Sequence, residues 1–443
     1  MSTPFRRDDA PVTRHHAAAI WIGTAFVVAV AFAMRLWFQR GGLVANPMIG
    51  DAIQYCDYAW NLAHYHVFSM AAPGSDSVPP DAFRDPGYPL FLASLLLVWG
   101  SGDPWYHTVL LVQALIGALT AGLTVALALR WLRPRWALGA GLAVALWPHN
   151  VAIAGYLLSE TLFGFMALLA LWLYAWAAGS RSVPRWIGAG VGFGAAAMVN
   201  ATLVLLGPLL ALSLLVRGAA PRRLALALLL GSLLLPGAWA VRGASLPAGG
   251  SNRAIVNLVQ GSWPAYHSSY IKSFFGDAKA QQVQSDVAKD VELAGTSPRR
   301  WLAATARRFA AEPMRYLGWY AWKPALMWAW SIRIGVGDVY PYPTEHPIYN
   351  SVPALRLFES LCVGVNPLLF ALMGGMALLV LARPARLAAA PALYAAALLV
   401  VYETLIYTVL QSEPRYSIPF RPLEIILVAT ALAGVSTYWQ RRA

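Results

Sequence analysis

The residues with most to offer chemically lie in one short acidic stretch. The segment GDAIQYCDYAW (50–60) opens a reach from Asp51 to Asp85 that holds five aspartates, at 51, 57, 76, 81 and 85, with Arg84 its only Lys or Arg. The whole chain of 443 residues has 20 Asp and Glu, and 58% of it is hydrophobic. A carboxylate beside aromatic rings suits a general base with a platform for a sugar. Asp51, followed by Tyr55, Tyr58 and Tyr65 at near-helical spacing, offers that arrangement. The same residue could equally cap a helix N-terminus among ordinary interfacial tyrosines. Asp57, six residues on, points about 120° away on a helix. Asp85, in FRDPGYPLF, carries the same two readings, because Arg84 can neutralise it.

Further along, Ser159-Glu160 opens an apolar run, where serine can cap and glutamate suits the positive helix end as readily as either can catalyse. His149 stands in the preceding turn without a second histidine at ligand spacing, so a surface or capping role competes with metal binding. Arg415, in QSEPRYS (411–417), can reach a phosphate or can snorkel at the interface. Glu403 lies well inside an apolar run, where an unpaired charge costs about 3 kcal/mol, and Arg421 is its expected partner. Lys323, in YAWKPALMWAW, is a phosphate candidate or a plain interfacial lysine. Gly188/Gly192 and Gly190/Gly194 in GAGVGFG (188–194) form two GxxxG pairs inside an apolar segment, which reads as close helix packing rather than a dinucleotide fingerprint. There is no P-loop, and Cys56 and Cys362 form neither a disulfide framework nor a thiolate metal motif. As an outer-loop residue, Cys56 is expected to react with an impermeant thiol reagent.

The elements that hold these residues are membrane helices. A mean hydropathy of +0.54, with charged residues at 12%, marks an all-α polytopic membrane protein. Arg6, Arg7 and Arg14 ahead of the first apolar run read as a signal anchor rather than a cleaved leader. Apolar runs place about ten transmembrane helices at 17–37, 106–129, 136–155, 160–178, 186–200, 201–216, 223–241, 364–382, 389–410 and 418–437. The net charge of +13 sits largely in short links such as RWLRPRW, RGAAPRR and RPAR, a positive-inside pattern rather than a nucleic-acid footprint. Dividing 186–216 near Asn200 keeps those links on one side. The chain then parses into a cytoplasmic N-terminus (1–16), a transmembrane module (17–241) with an acidic outer loop (38–105), a large outer loop (242–363) and C-terminal transmembrane helices (364–443). Residues 86–100 are too short to span and read as re-entrant or interfacial. In the large loop, 279–295 reads as a polar helix, and 297–322 as an amphipathic helix lying in the interface.

On this topology the sequence resembles the GT-C membrane glycosyltransferases, in particular the group that includes protein O-mannosyltransferases, lipid A aminoarabinose transferases and lipopolysaccharide core galacturonosyltransferases. The resemblance runs over nearly the whole chain. It rests on GDAIQYCDYAWNLAHYHVFS after the first span, then RDPGYPLFLASLLLVWG, PHNVAIAGYLLSETLFGFMALLAL, LPGAWAVRGA and EPRYSIPFRPLEIIL, in that order. It implies a GT-C-like bundle, a polyprenyl-phosphate-linked sugar donor, transfer on the outer face and inversion at the anomeric carbon. By the same resemblance Asp51 matches the first-loop catalytic acid, Glu160 the glutamate of the Ser-Glu turn, Arg242 the arginine leading into the large loop, and Arg415 with Tyr416 the late turn. Ala52 stands where many relatives carry glutamate, Asn200 where arginine is usual, and Asp85-Pro86 where several have a double proline.

The expected site therefore has Asp51, Glu160 and Asp85 as catalytic groups and Arg242, Arg415, Tyr416 and Lys323 around the donor phosphate. Tyr55, Tyr58 and His149 would touch sugar or acceptor. No metal ligands are assigned, and a divalent cation stays open as a cofactor. Expected partners are the lipid-linked donor, a glycan, lipid or protein acceptor and membrane lipid, with no nucleic acid, in a bacterial inner membrane with the site on the periplasmic face. A flippase of lipid-linked sugars would show inverted repeats, and none is visible. An oligosaccharide ligase or polymerase would leave the acidic loop unexplained.

Overall fold

The computed structural model describes residues 14–246, 251–332, 339–383 and 385–440. Most of the expected N-terminal segment and the last three residues lie outside them. In chain order, α1 (Arg14–Gly41) leads to two first-loop helices, α2 (Asp51–Tyr65) and α3 (Gly87–Trp99), then to α4 (Asp103–Ala128) and the pair α5 (Pro134–Leu146) and α6 (Pro148–Ala152). Helices α7 (Glu160–Ala178), α8 (Val183–Val199), α9 (Leu206–Val216) and α10 (Arg222–Ala244) complete the first half. The large loop carries α11 (Arg253–Gly261), α12 (Tyr266–Phe274), α13 (Ala278–Thr296), α14 (Pro298–Ala311) and α15 (Pro313–Met327). A single turn, α16 (Ile348–Ser351), precedes α17 (Pro353–Leu381), α18 (Arg386–Ala389), α19 (Pro391–Val409) and α20 (Arg421–Gln440).

Seven of these helices, α1, α4, α7, α10, α17, α19 and the segment ending in α20, are long and apolar enough to cross a membrane. An eighth candidate, α5 with α6 and the turn after it, bends by 58°. The remaining two expected spans are the shorter apolar helices α8 and α9, which separate at Asn200. Small residues set the packing inside the bundle. A methyl group on Gly190 would meet Leu228 O at 2.4 Å and one on Gly194 would meet Ser232 O at 3.1 Å, so this pair seats α8 directly on α10. Gly192 faces α7 instead, and Gly188 meets nothing.

The large loop has a small core of its own around Val259, Tyr266, Val287, Ala294 and Trp301. The polar helix forms as α13, but the expected amphipathic helix over 297–322 does not run unbroken. It stops at Ala311 and restarts at Pro313, and Trp301 and Thr305 turn into the loop's core. Past α15 the chain returns to the first loop through a two-stranded antiparallel ladder, β1 (Leu43–Val44) with β2 (Thr344–Glu345), in which Leu43 faces Glu345. That ladder brings Tyr342 beside the start of α2.

The two buried charges expected to pair in the spans, Arg421 and Glu403, take other partners. Arg421 pairs with Glu424 one turn on (2.8 Å), and also donates to Asn366 and to the carbonyls of Trp328 and Ala329. Glu403 takes the Thr202 hydroxyl instead (3.4 Å). An i, i+3 partner on the same helix is always in reach, which is why Glu424 outcompetes Glu403.

Candidate active site

Asp51 is the first residue of α2, and Gly50 before it takes φ +56°, a left-handed conformation that favours glycine. Gly50, not Asp51, occupies the cap position, so the carboxylate is free to face outward from the helix start. Gln54 and Tyr55 share its face, and together the three hold Arg84. Its guanidinium donates to Asp51 Oδ1 (2.5 Å), Gln54 Oε1 (2.6 Å) and the Tyr55 hydroxyl (3.5 Å), and lies over the Tyr55 ring.

The second Asp51 oxygen receives Arg415 at 2.5 Å from a 3-10 turn, Pro414–Phe420, that joins α19 to α20. Arg415 Nε in turn lies 3.0 Å from Glu160 Oε1 at the start of α7. The result is a chain of alternating charge, Arg84–Asp51–Arg415–Glu160. Burial alone would raise the Asp51 pKa, but Arg415 and Arg84 outweigh it and hold the carboxyl well below the usual range. The capping reading of Ser159 does not hold, because its side chain caps nothing and its hydroxyl lies 3.3 Å from that of Tyr55.

These groups line a cavity of about 690 Å³. Its walls include Tyr342 from the returning segment, Tyr407 from α19 and Tyr416 from the late turn, with His267 and Tyr270 from α12 and Glu413 opposite in sequence. Among the described residues, Glu160 Oε2 and His267 Nε2 are buried without a hydrogen-bond partner. Tyr407 and Tyr416 stack at 4.7 Å. His267 Nδ1 stands 3.5 Å from Glu413, and burial lowers the imidazole's pKa.

Asp51, Tyr55, Glu160, Arg415 and Tyr416 thus meet in one place, and five other expected site residues do not line it. Asp85 stands just behind the wall: burial raises its pKa, and it binds Arg253 (3.2 Å) and the Ala201 amide (3.2 Å) rather than Arg84. Gly87, where a side chain would meet Met198 O at 2.8 Å, lets α3 approach α8 closely enough for that contact. Tyr58 is buried, donating to Asp81 and stacking on Phe68. His149 is buried against Trp330, with Nε2 at the Trp330 carbonyl (2.5 Å). Arg242 donates to the Asp81 carbonyl (2.8 Å) and packs over Trp239 and Phe68. Lys323 is fully buried and donates to the carbonyls of Gly261 and Leu410 (2.9 and 2.6 Å), and burial lowers its pKa to about 7. These last two are structural rather than phosphate-facing. Cys56 is also buried, its thiol pushed up to about 12, so it is a poor labelling site.

Among the described residues no three His, Cys, Asp or Glu side chains gather as metal ligands. Both Asp51 oxygens are held by guanidinium groups, and Ala52 offers no second carboxylate. The side chains present do not fit a divalent-cation site, and no step below uses one.

The fold, a long-helix bundle with two helical loops and an ionic cavity where these meet, is similar to that of several solved membrane glycosyltransferase structures. The archaeal oligosaccharyltransferase AglB from Archaeoglobus fulgidus, in complex with an inhibitory peptide and a dolichol-phosphate, aligns over 96% of this chain and 51% of its own, with a TM-score of 0.54 and 13% identity. A second Archaeoglobus fulgidus oligosaccharyltransferase structure, with Zn and sulfate, aligns over 95% and 50%, with a TM-score of 0.52 and 12% identity. ArnT from Cupriavidus metallidurans bound to undecaprenyl phosphate aligns over 94% and 60%, with a TM-score of 0.46 and 15% identity. The chain spans about half the length of the archaeal enzyme it matches. No protein-family model and no curated protein matches it.

Proposed function

We propose that the protein transfers a sugar from a polyprenyl-phosphate-linked donor to an acceptor hydroxyl on the outer face of the membrane, with inversion. The observation that carries this is the cavity in which two guanidinium groups are held on one carboxylate at the end of a GT-C-like bundle. Arg415 and Arg84 are the cations for the donor phosphate, with Arg84 taking the place expected of Arg242.

The chain Arg84–Asp51–Arg415–Glu160 is neutral as it stands. A phosphodiester entering beside the two arginines adds a negative charge and draws their N–H groups toward its oxygens. Asp51 then loses the contacts that depress its pKa, and its carboxylate becomes a competent base only once the donor is in place. In the transfer step the acceptor oxygen bonds to the anomeric carbon from the face opposite the phosphate. The bond from that carbon to the phosphate oxygen breaks, its electron pair leaves with the polyprenyl phosphate, and the acceptor proton goes to Asp51. Arg84 and Arg415 stabilise the charge that grows on the departing phosphate. Glu160 keeps Arg415 oriented throughout.

The purified protein, incubated with undecaprenyl-phosphate-linked pentoses and hexoses and a cell-envelope glycolipid fraction, should release undecaprenyl phosphate and yield a glycosylated product. Movement of the lipid-linked sugar across a vesicle without bond cleavage would replace the transferase reading with a flippase.

A further inference from the structure

A break in an apolar helical run needs a cause. Between α8 and α9 the chain leaves the helix at Asn200 (φ −150°, ψ 116°) and winds a 3-10 turn over Ala201–Leu205. Irregular backbone among membrane spans is tolerated where it lines a cavity or is buried in protein. Here Asn200 and Thr202 line the cavity, facing it together with Tyr407. The Tyr402 hydroxyl secures the turn by donating to the Thr202 carbonyl.

Behind the turn sits Glu403, fully buried and one helical turn before Tyr407. Its Oε1 receives the Thr202 hydroxyl at 3.4 Å, and its Oε2 has no hydrogen-bond partner among the described residues. Arg421, its expected partner, is committed to Glu424. With its proton turned toward Glu403, the Thr202 hydroxyl has lone pairs left for the cavity. The Asn200 oxygen accepts the Thr202 amide at 3.1 Å and the Tyr407 hydroxyl interacts with both side chains, so what this branch turns to the cavity is the remaining lone pairs of Thr202 and Tyr407, which accept from hydrogen-bond donors.

Its position relative to the phosphate site is set by two stacked rings. Tyr416 follows Arg415 directly and stacks on Tyr407, so the level of the guanidinium connects to the level of Thr202 through one aromatic pair. Arg415, Tyr416, Tyr407, Asn200 and Thr202 all line the one cavity, so a sugar attached to a phosphate on Arg415 shares it with the Asn200–Thr202 turn.

We infer that Asn200, Thr202 and Tyr407 form the subsite for a hydroxyl or amino substituent of the transferred sugar, and that Glu403 is the positioning residue that fixes its selectivity. The inference rests on the donor reading above. A site built around acceptor atoms rejects an analogue that lacks the matching donor far more strongly than one shaped by apolar contact alone.

The test uses the full chain in lipid nanodiscs, with undecaprenyl phosphate and a panel of undecaprenyl-phosphate-linked arabinose, 4-amino-4-deoxyarabinose, mannose, glucose and galactosamine. In Glu403→Gln and Thr202→Val, affinity for sugar-free undecaprenyl phosphate should stay within about twofold of the wild type. The ratio of kcat/KM between the best and second-best donors should fall about tenfold or more, and Thr202→Ser should keep it. Whether the best donor bears an amino or a hydroxyl group identifies the substituent. An unchanged ratio in both variants, or an equal loss for every donor, overturns the inference and leaves the transferase reading intact. A wild-type protein that turns over none of the panel while binding undecaprenyl phosphate removes the donor reading, and this subsite with it.

Discussion

Replacing Asp51 with asparagine should produce two effects of opposite sign. The substitution is isosteric, so the cavity keeps its shape, but one negative charge leaves the chain Arg84–Asp51–Arg415–Glu160. In the wild type a donor phosphate must compete with Asp51 for both guanidinium groups, each at 2.5 Å. A hydrogen bond to a charged group contributes about 1.5–3 kcal/mol, and the 28% exposure of the Asp51 side chain argues for the lower end. Releasing one such contact, about 1.5 kcal/mol, corresponds to roughly tenfold in affinity. Undecaprenyl phosphate should therefore bind Asp51→Asn about tenfold more tightly, while transfer falls by about 10²- to 10⁴-fold for loss of the base. Affinity is read by titrating the lipid into protein in nanodiscs, and transfer by release of undecaprenyl phosphate from a lipid-linked sugar. Weaker or unchanged lipid binding would refute the competition between phosphate and Asp51. Turnover near the wild-type rate would refute its role as base.

Arg84→Gln removes one of the two cations that depress Asp51, so the acid limb of the kcat/KM profile should move upward by about 1–3 pH units; an unmoved limb detaches Asp51 from Arg84 in function. Because the folded Asp51 pKa lies below its unfolded value, its ion pairs stabilise the fold above pH ~4 and lose that contribution as pH falls further. Thermal midpoints of wild type and Asp51→Asn should accordingly differ at pH 7, with the difference starting to shrink below pH ~4 and vanishing only as pH reaches the depressed folded pKa. Lys323→Met strands the carbonyls of Gly261 and Leu410, costing on the order of 1–3 kcal/mol in stability, yet undecaprenyl phosphate affinity should not change. Arg242→Ala should likewise lower the thermal midpoint through lost stacking on Trp239 and Phe68 while transfer stays within a few fold, and a collapse of phosphate affinity would return Arg242 to the site.

The helical class and the division at Asn200 were legible because each leaves a local mark, hydropathy or charge parity across links, whereas the grouping of Asp51, Glu160, Arg415 and Tyr416 came from the motif order of the GT-C resemblance, the residues alone leaving capping and catalysis open. The five aspartates of the first loop were not separable in the same way. Only Asp51 faces the cavity. Asp81 instead ties the loop together, accepting from the Met70 and Phe83 amides (2.7 and 3.0 Å) and from Tyr58, and Asp85 reaches across to Arg253. Adjacent residues in a turn can point apart, so Arg84 and Asp85 take different partners, and nothing in their spacing reveals which. Arg84 did carry a signal, as the lone cation in an acidic stretch. Arg253, His267 and Glu413 carried none, because their places depend on how the large loop packs back on the bundle. Lys323 and His149 misled for the reason that buried polar groups do in general: a side chain that satisfies backbone carbonyls has the same letter as one that binds a ligand.

The ion pair between Asp51 and Arg415 joins positions 364 residues apart. During synthesis the aspartate emerges 364 residues ahead of the arginine, so the pocket cannot exist on a chain that stops short of Arg415. Any product shortened before Arg415 therefore lacks the complete ionic cluster. Completion of the turn that carries Arg415 is in that sense the step that closes the pocket.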